Sequence, residues 1–176
     1  MQVSKIILIG FFTFSKIYGQ TITDISVYLN DKQISKSAKD FYKGKFKASD
    51  DSNTLSILDS FYTKNNHTRP FYFYLVSMML KKTDGSLSEA LSNSCEEYLE
   101  RHPDNIIDFL YSTNKLVDEK LKDNWAKIIA AEFMIICEGS EKICIKKSLE
   151  KGLLKSRNEN RAKLTLFYQR ISSYCH

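Results

Sequence analysis

Residues 70–80 read PFYFYLVSMML, and this stretch decides the fold. Almost every position is apolar, so a helix built from it is apolar around its whole circumference. Pro70 suits the first turn of such a helix, where its missing N–H is not needed. A helix without a polar face is stable only when other elements cover all its sides. The stretch therefore predicts a helix that is surrounded by others.

Helical patterns continue along the rest of the chain. Ser86 and Glu89 have the spacing of a capping box, and apolar residues follow on one helical face as far as Leu99. A long helix is predicted from Leu116 to Ile136. Further helices are predicted at residues 55–62, 104–111, 140–154 and 160–171.

The count is six or seven helices joined by short turns, with almost no strand signal after residue 50. This pattern predicts an all-α domain of antiparallel hairpins. No repeat of a known period is visible, so an irregular bundle is favoured over a short solenoid.

The N-terminus has the pattern of a secretory signal peptide. Lys5 precedes an apolar run at residues 6–14, IILIGFFTF, which is the order that an export machinery recognises. The run is much shorter than the roughly 20 residues of a membrane-spanning helix, so no stable membrane anchor is expected. Cleavage is predicted after Gly19, with Ser15 as second choice, which makes the protein secreted or periplasmic.

After removal of the signal at residues 1–19, the remaining chain is predicted to consist of two parts. Residues 20–51 are expected to form a weakly structured N-terminal strap with a short helix, and residues 52–176 the helical domain. The strap carries six lysines among aromatic residues. Such a mixture can hold an anionic polymer or a membrane surface, although a solvated helix face is the favoured interpretation.

The four cysteines, Cys95, Cys137, Cys144 and Cys175, are an even number in a chain predicted to reach an oxidising compartment. Two disulfides are therefore expected. Cys137 and Cys144 flank a turn at residues 139–140, which allows a bridge across the neck of a helical hairpin. Cys95 and Cys175 would then form the second bridge. The rival pairing joins Cys144 to Cys175 and Cys95 to Cys137.

Charge and spacing argue against several classes of function. The net charge is +5, and Lys5 and Lys16 lie in the predicted signal, so the charge of the rest is mild. Nucleic-acid binding is not predicted, because it leaves a concentrated basic patch. No metal site is predicted, since CxxC and HxxxH spacings are absent and the histidines are scattered. No cofactor is expected either.

No catalytic motif is present, because GxSxG, HExxH, P-loop and dinucleotide-binding patterns are all absent. Folding could still bring carboxylates together, as in glycoside hydrolases, and Glu89, Glu96 and Glu132 are the candidates. Glu132 lies among apolar residues, where burial would raise its pKa, but a position at the helix rim facing water is favoured. The His-Pro-Asp sequence at residues 102–104 is interpreted as a helix boundary.

Four successive aromatic residues at 71–74 cannot all face one side of a helix. Some of them must contact a second layer, a partner or a ligand, and a two-sided core helix is the simpler explanation. Tyr72 and Tyr74 carry hydroxyls, and Arg69 stands beside them, so these three residues are the predicted binding surface. Residues 66–68 form an N-glycosylation sequon, which matters only in a eukaryotic host.

These observations predict a non-enzymatic exported protein that binds another protein through a helical face, as inhibitors and immunity proteins do. One alternative is a carrier of a small apolar ligand, which a cavity lined by Phe and Tyr would favour. Another is a carboxylate-based hydrolase, which two carboxyl groups facing each other in a cleft would favour. A filled core with an exposed aromatic patch favours the protein-binding function. The sequence carries no signal for an oligomeric state.

Overall fold

The computed structural model describes residues 25–81, 85–112 and 117–175. The predicted signal peptide and its cleavage site after Gly19 lie outside these residues. Leu116, the predicted first residue of the long helix, lies outside them too.

The described residues form nine α-helices and no strand. The helices are α1 (Ile25–Asn30), α2 (Lys36–Tyr42), α3 (Ser52–Phe61), α4 (Arg69–Met79), α5 (Gly85–Arg101), α6 (Pro103–Leu110), α7 (Glu119–Ile136), α8 (Glu141–Lys155) and α9 (Asn158–Ser172). The all-α prediction is confirmed. The seven helices α3 to α9 agree with the predicted count, and the strap adds two more, where one short helix was predicted.

The core is built around α4, as the apolar stretch at residues 70–80 predicts. The ring centroid of Phe73 lies 4.9 Å from that of Phe61, 5.3 Å from Tyr98, 5.0 Å from Phe109 and 5.7 Å from Trp125. These four neighbours belong to α3, α5, α6 and α7, so α4 is covered from several sides. Aromatic rings at these separations contribute more than their buried area alone.

Two polar side chains inside this core are hydrogen-bonded. The indole N–H of Trp125 donates a hydrogen bond to the hydroxyl of Ser77 at 2.9 Å, and Ser77 in turn donates to the carbonyl of Phe73 at 2.7 Å. Buried polar groups are costly unless they are bonded, so this chain of two bonds fixes the indole orientation.

The N-terminal helices α1 and α2 cover a further side of α4. Tyr28 stacks on Phe71 with ring centroids 5.2 Å apart. Ile34 and Ala38 are buried as well. The described part of the predicted strap therefore belongs to the same hydrophobic core as the helical domain.

The C-terminal helix α9 is fixed to α6 by a cluster of charged and amide groups. Both carboxylate oxygens of Asp108 accept hydrogen bonds from Arg157 at 2.6 Å. Asn160 donates to Asp104 and to Asp108, in each case at 2.9 Å. Each of these bonds involves a carboxylate, which makes it stronger than a bond between neutral groups.

Helices α7 and α8 are joined by a tight turn with one disulfide. Gly139 adopts a positive φ of 74°, which favours glycine, and the Cys137–Cys144 bridge spans the turn with Cα atoms 6.4 Å apart. The predicted bridge across this hairpin is therefore present. Further along, α8 approaches α9 closely at Gly152, where a Cβ atom would lie 3.3 Å from Leu164.

The prediction of two disulfides is wrong, because Cys95 and Cys175 are both free thiols. Cys95 is fully buried within α5, whereas the Sγ of Cys175 lies 3.8 Å from the carbonyl oxygens of Ala130 and Ile171. The two thiols thus pack in different surroundings. Since Cys137 bonds to Cys144, the rival pairing is excluded as well.

The predicted capping box at the start of α5 is wrong too. Ser86 lies inside the helix, and its hydroxyl donates to the carboxylate of Asp50 at 2.9 Å. The hydroxyl therefore links α5 to the chain just before α3. Across the three described ranges, the helices are too short or too polar for one of them to span a bilayer.

Candidate functional site: a groove between two helices

Helices α5 and α7 pack side by side, and a buried carboxylate lies between them. The hydroxyl of Ser92 on α5 donates a hydrogen bond of 2.7 Å to Glu132 on α7. Glu132 is only 8% exposed, so the interpretation that it faces open water is wrong. A buried carboxylate needs such a donor, because its charge is otherwise costly to remove from water.

A groove of about 460 Å³ opens between the start of α5 and the end of α7. Its lining is Ser86, Glu89, Ala90, Asn93, Glu132 and Ile135. The first four residues follow the pattern i, i+3, i+4 and i+7 on α5, and the last two are three apart on α7, so each set shares one helix face. The groove therefore combines two carboxylates with small polar and aliphatic walls.

Two of the three carboxylates named from the sequence share this groove, namely Glu89 and Glu132. The third, Glu96, lies further along α5 and does not line it. Glu89 is exposed, whereas Glu132 is covered and held by Ser92. The two carboxylates are thus placed in different surroundings within one groove.

The carboxyl group of Glu96 has an unusual proton affinity. Burial raises the pKa of Glu96 to about 7. The nearby carboxylates act in the same direction, in the order Glu100, Glu132 and Glu97. Lys151 on α8 opposes them. Near neutral pH this group therefore exists partly as the neutral acid.

The end of α7 carries a run of exposed apolar residues, called here the rim, of which Ile135 lines the groove. Met134, Ile135 and Ile136 are three successive exposed residues, and the two isoleucines are 64% and 55% exposed. The sequence pattern used Ile136 as the last apolar position of the long helix. Successive helical residues are 100° apart, so three apolar residues in a row could have indicated that some lie outside the stripe.

The predicted binding residues Tyr72 and Tyr74 contact other parts of the chain. Tyr72 is buried, and its hydroxyl accepts a hydrogen bond of 3.3 Å from the backbone N–H of Ser35. Tyr74 is partly exposed and packs against Tyr42 with ring centroids 6.3 Å apart. Their partners lie in the strap, so the strap covers this end of α4.

Arg69, the third predicted binding residue, is bound within its own loop and to α6. Its guanidinium donates to Asn66 at 2.6 Å, to Asn105 at 3.3 Å and to the carbonyl of Thr63 at 3.2 Å. Asn66, the acceptor of the sequon, is exposed. The structure thus places Arg69 where it organises the loop before α4.

The residues of the His-Pro-Asp sequence do not form a catalytic pair. His102 is the N-cap of α6, and its ring lies 5.0 Å from that of Tyr98. Burial and neighbouring cations lower the pKa of His102. Asp104 instead accepts hydrogen bonds from Arg157 and Asn160. The interpretation of this sequence as a helix boundary agrees with that position.

The described ranges 25–81, 85–112 and 117–175 contain no group of three or more His, Cys, Asp or Glu side chains that could hold a metal ion. The carboxylates of the groove therefore do not form such a group with their described neighbours.

Comparison with known proteins gives no relative. No family model, no curated protein and no solved structure matches the chain. The function is therefore inferred from the groove and its rim alone.

Proposed function

We propose that the protein is a non-enzymatic binding module that holds another protein in the groove between α5 and α7. The partner contributes aliphatic side chains that pack on the rim at Ile135 and Ile136. It also contributes a basic side chain that faces Glu89 and Glu132. The Cys137–Cys144 disulfide supports a place of action outside the reducing cytoplasm.

The observation that carries this proposal is the exposed apolar rim. Eight large apolar side chains are exposed among the described residues, and six of them lie on α7, α8 and α9. Three of these six are Met134, Ile135 and Ile136. Covering an isoleucine side chain completely is worth about 1.5–3 kcal/mol. Contiguous exposed apolar side chains at a polar groove are typical of protein interaction sites.

Glu89 and Glu132 give the proposed site its specificity. Glu89 is exposed and Glu132 is held in place by Ser92, so a partner in the groove meets one accessible carboxylate and one fixed carboxylate. A basic side chain placed between them gains charge-assisted hydrogen bonds. Acidic partners are disfavoured, since like charges at an interface cost several kcal/mol.

The groove does not have the lining expected of an apolar ligand carrier. Among the residues that the structure describes, its apolar walls are Ala90 and Ile135, and no aromatic residue lines it. The aromatic residues of the chain instead pack against one another around Phe73. This lining supports protein binding over the transport of a small apolar ligand.

A second candidate function is carboxylate-based hydrolysis, which the presence of Glu89 and Glu132 in one groove favours. Hydrolysis of a glycoside requires one carboxyl as general acid and the other as base or nucleophile. If the groove is such a site, hydrolysis of a glycan substrate is abolished in Glu89→Gln and in Glu132→Gln. A binding module shows no turnover in the first place.

The test of the binding proposal is affinity capture with the oxidised protein as bait, from the medium or compartment in which it is found. Ile135→Asp and Ile136→Asp are expected to lose a partner that the wild type retains. Leu166→Asp is the matched control, because Leu166 is as exposed as Ile136, at 56% against 55%, but lies on α9 and outside the rim.

Thermal unfolding of each variant separates loss of binding from loss of fold. The proposal predicts equal melting temperatures for all three variants and selective loss of the partner with the two α7 changes. Capture that survives Ile135→Asp, or is lost equally with Leu166→Asp, contradicts it. Failure of the wild type to retain any protein contradicts it as well.

A further inference from the structure

Helix α8 exposes a face that the groove does not use. The helix packs on its neighbours through Ile145, Ser148 and Gly152, which are buried. Its opposite side is exposed and is called here the α8 outer face. This face consists of Lys142, Ile143, Lys146, Lys147, Glu150 and Leu154.

Two aliphatic side chains lie on the α8 outer face. Ile143 is 59% exposed and Leu154 is 85% exposed. Together with Lys147 and Glu150 they have the spacing i, i+4, i+7 and i+11, which aligns them in one ridge along the helix. Neither aliphatic side chain gains much from the fold, since burial is what stabilises an apolar group.

The lysines of the α8 outer face have no acidic partner among the described residues. Within the described part of the chain, no carboxylate forms an ion pair with Lys142, Lys146 or Lys147. The other two lysines of α8 both contact Glu100. Lys151 pairs with Glu100 at 3.0 Å, and Lys155 donates to the carbonyl of the same residue at 2.8 Å.

The C-terminal region as a whole is basic. Residues 141–176 contain nine Lys and Arg against three Glu, whereas the remaining residues are almost neutral in sum. Glu150 is the single acid on the α8 outer face. The surface that α8 presents is thus positive and carries an apolar ridge.

We propose that the α8 outer face adsorbs reversibly to the surface of an anionic phospholipid membrane. Helices that lie on membranes combine lysine with exposed leucine and isoleucine, as this face does. Lysine stems lie along the apolar region while their ammonium groups reach the phosphates. Ile143 and Leu154 enter the boundary between headgroups and acyl chains, and the three unpaired lysines meet the anionic headgroups.

A lipid surface fits this face better than an acidic protein does. Lysine is depleted at the centre of protein interfaces, because its hydrated ammonium is costly to bury. The ridge belongs to the side of a single helix, and a planar fluid layer accommodates it without a complementary groove. This function goes beyond the proposed protein binding, because the groove lies on α5 and α7 and uses none of these lysines.

Vesicle flotation tests the proposal with the oxidised protein as it is recovered from its host. Vesicles of phosphatidylcholine mixed with phosphatidylglycerol are compared with vesicles of phosphatidylcholine alone, at low and at high salt. The variant with Lys142→Gln, Lys146→Gln and Lys147→Gln is expected to show a partition coefficient roughly 100-fold lower on the anionic vesicles. Leu154→Ser is expected to lower it about tenfold.

The matched control removes three lysines from the strap instead. Lys32→Gln, Lys43→Gln and Lys47→Gln make the same change in net charge, and these three side chains are also exposed. Both triple variants share the same N-terminus, so any contribution of residues 6–14 cancels between them. The control is expected to bind anionic vesicles nearly as well as the wild type.

Three outcomes would overturn the proposal. One is an equal loss of binding in the two triple variants, which would reduce the effect to net charge. Another is equal flotation with the neutral and the anionic vesicles. The third is failure of the wild type to float with anionic vesicles while it binds soluble polyglutamate, which would assign the α8 outer face to an acidic protein.

Discussion

The aromatic core around α4 and the surface of α7 and α8 use their apolar residues in opposite ways. Around α4, rings from four neighbouring helices pack on Phe73 and the polar groups of Trp125 and Ser77 are bonded. On α7 and α8, Ile135, Ile136 and Leu154 face outward beside charged residues. The first region therefore determines stability, and the second offers surface for binding.

The largest effect is expected from the core side of this comparison. Phe73→Ala removes a buried ring that contacts four others and should cost about 3–5 kcal/mol of unfolding free energy. Leu166→Ala is the control, and its cost should stay within about 0.5 kcal/mol because the side chain is exposed. Urea denaturation of both variants measures the difference. Similar urea midpoints for the Phe73→Ala and Leu166→Ala variants would contradict the distinction between core and surface.

The next largest effect concerns the disulfide at the turn between α7 and α8. The bridge closes a loop between residues seven apart, so the double variant Cys137→Ser, Cys144→Ser should lose about 2.5 kcal/mol through added freedom of the unfolded chain. Mass spectrometry after alkylation in denaturant checks the pairing. Two alkylated thiols are expected in the wild type, whereas none would be found if Cys95 and Cys175 were bridged.

A smaller effect depends on pH and concerns the interface between α5 and α8. Because burial raises the pKa of Glu96 to about 7, the folded state holds a proton that the unfolded state releases near pH 4.5. Stability should therefore fall as pH rises from about 4.5 to 7. The contribution is on the order of 1 kcal/mol, since part of the side chain remains hydrated.

Glu96→Gln isolates this contribution. The variant should be more stable than the wild type above pH 7, and the difference should shrink as the pH falls towards 4.5. Thermal unfolding of both proteins across this range gives the comparison. A constant difference at all pH values would show that the pKa of Glu96 is the same in the folded and the unfolded protein.

The smallest effect on stability is expected at the groove rim. Ile135→Asp should change the unfolding free energy by less than about 0.5 kcal/mol, because the side chain is already in contact with water. Ile129→Asp, six residues earlier on the same helix, buries a carboxylate and should prevent folding. A large loss of stability in Ile135→Asp would mean that the rim belongs to the core.

The helical core could be predicted from the sequence because its signals are local and redundant. The apolar stretch at residues 70–80 has no polar face, so its burial follows from composition alone. The strap was harder to predict, since the apolar residues near Tyr28 fit neither the helical nor the strand period. Tyr28 is nevertheless buried, because tertiary contact with Phe71 compensates for the weak local pattern.

The candidate site could be predicted only in part. Glu89 and Glu132 were named as carboxylates that folding might unite, and one groove contains both. The predicted surface at Tyr72 is covered by helices of the strap. This covering could not be predicted, because the strap is the segment with the weakest sequence pattern. The rim at Ile136 was missed, since periodicity shows which face of a helix is apolar and not where the neighbouring helices end.

The short distance along the chain between Cys137 and Cys144 has a consequence for how the protein acquires its only described bridge. In an unfolded chain, the entropic cost of closing a loop grows with its length, so each of these two thiols meets the other more often than it meets Cys95 or Cys175. Folding then buries Cys95 completely and removes it from thiol exchange. Oxidation of this protein is thus expected to reach the native pairing by itself, without rearrangement of wrongly paired intermediates.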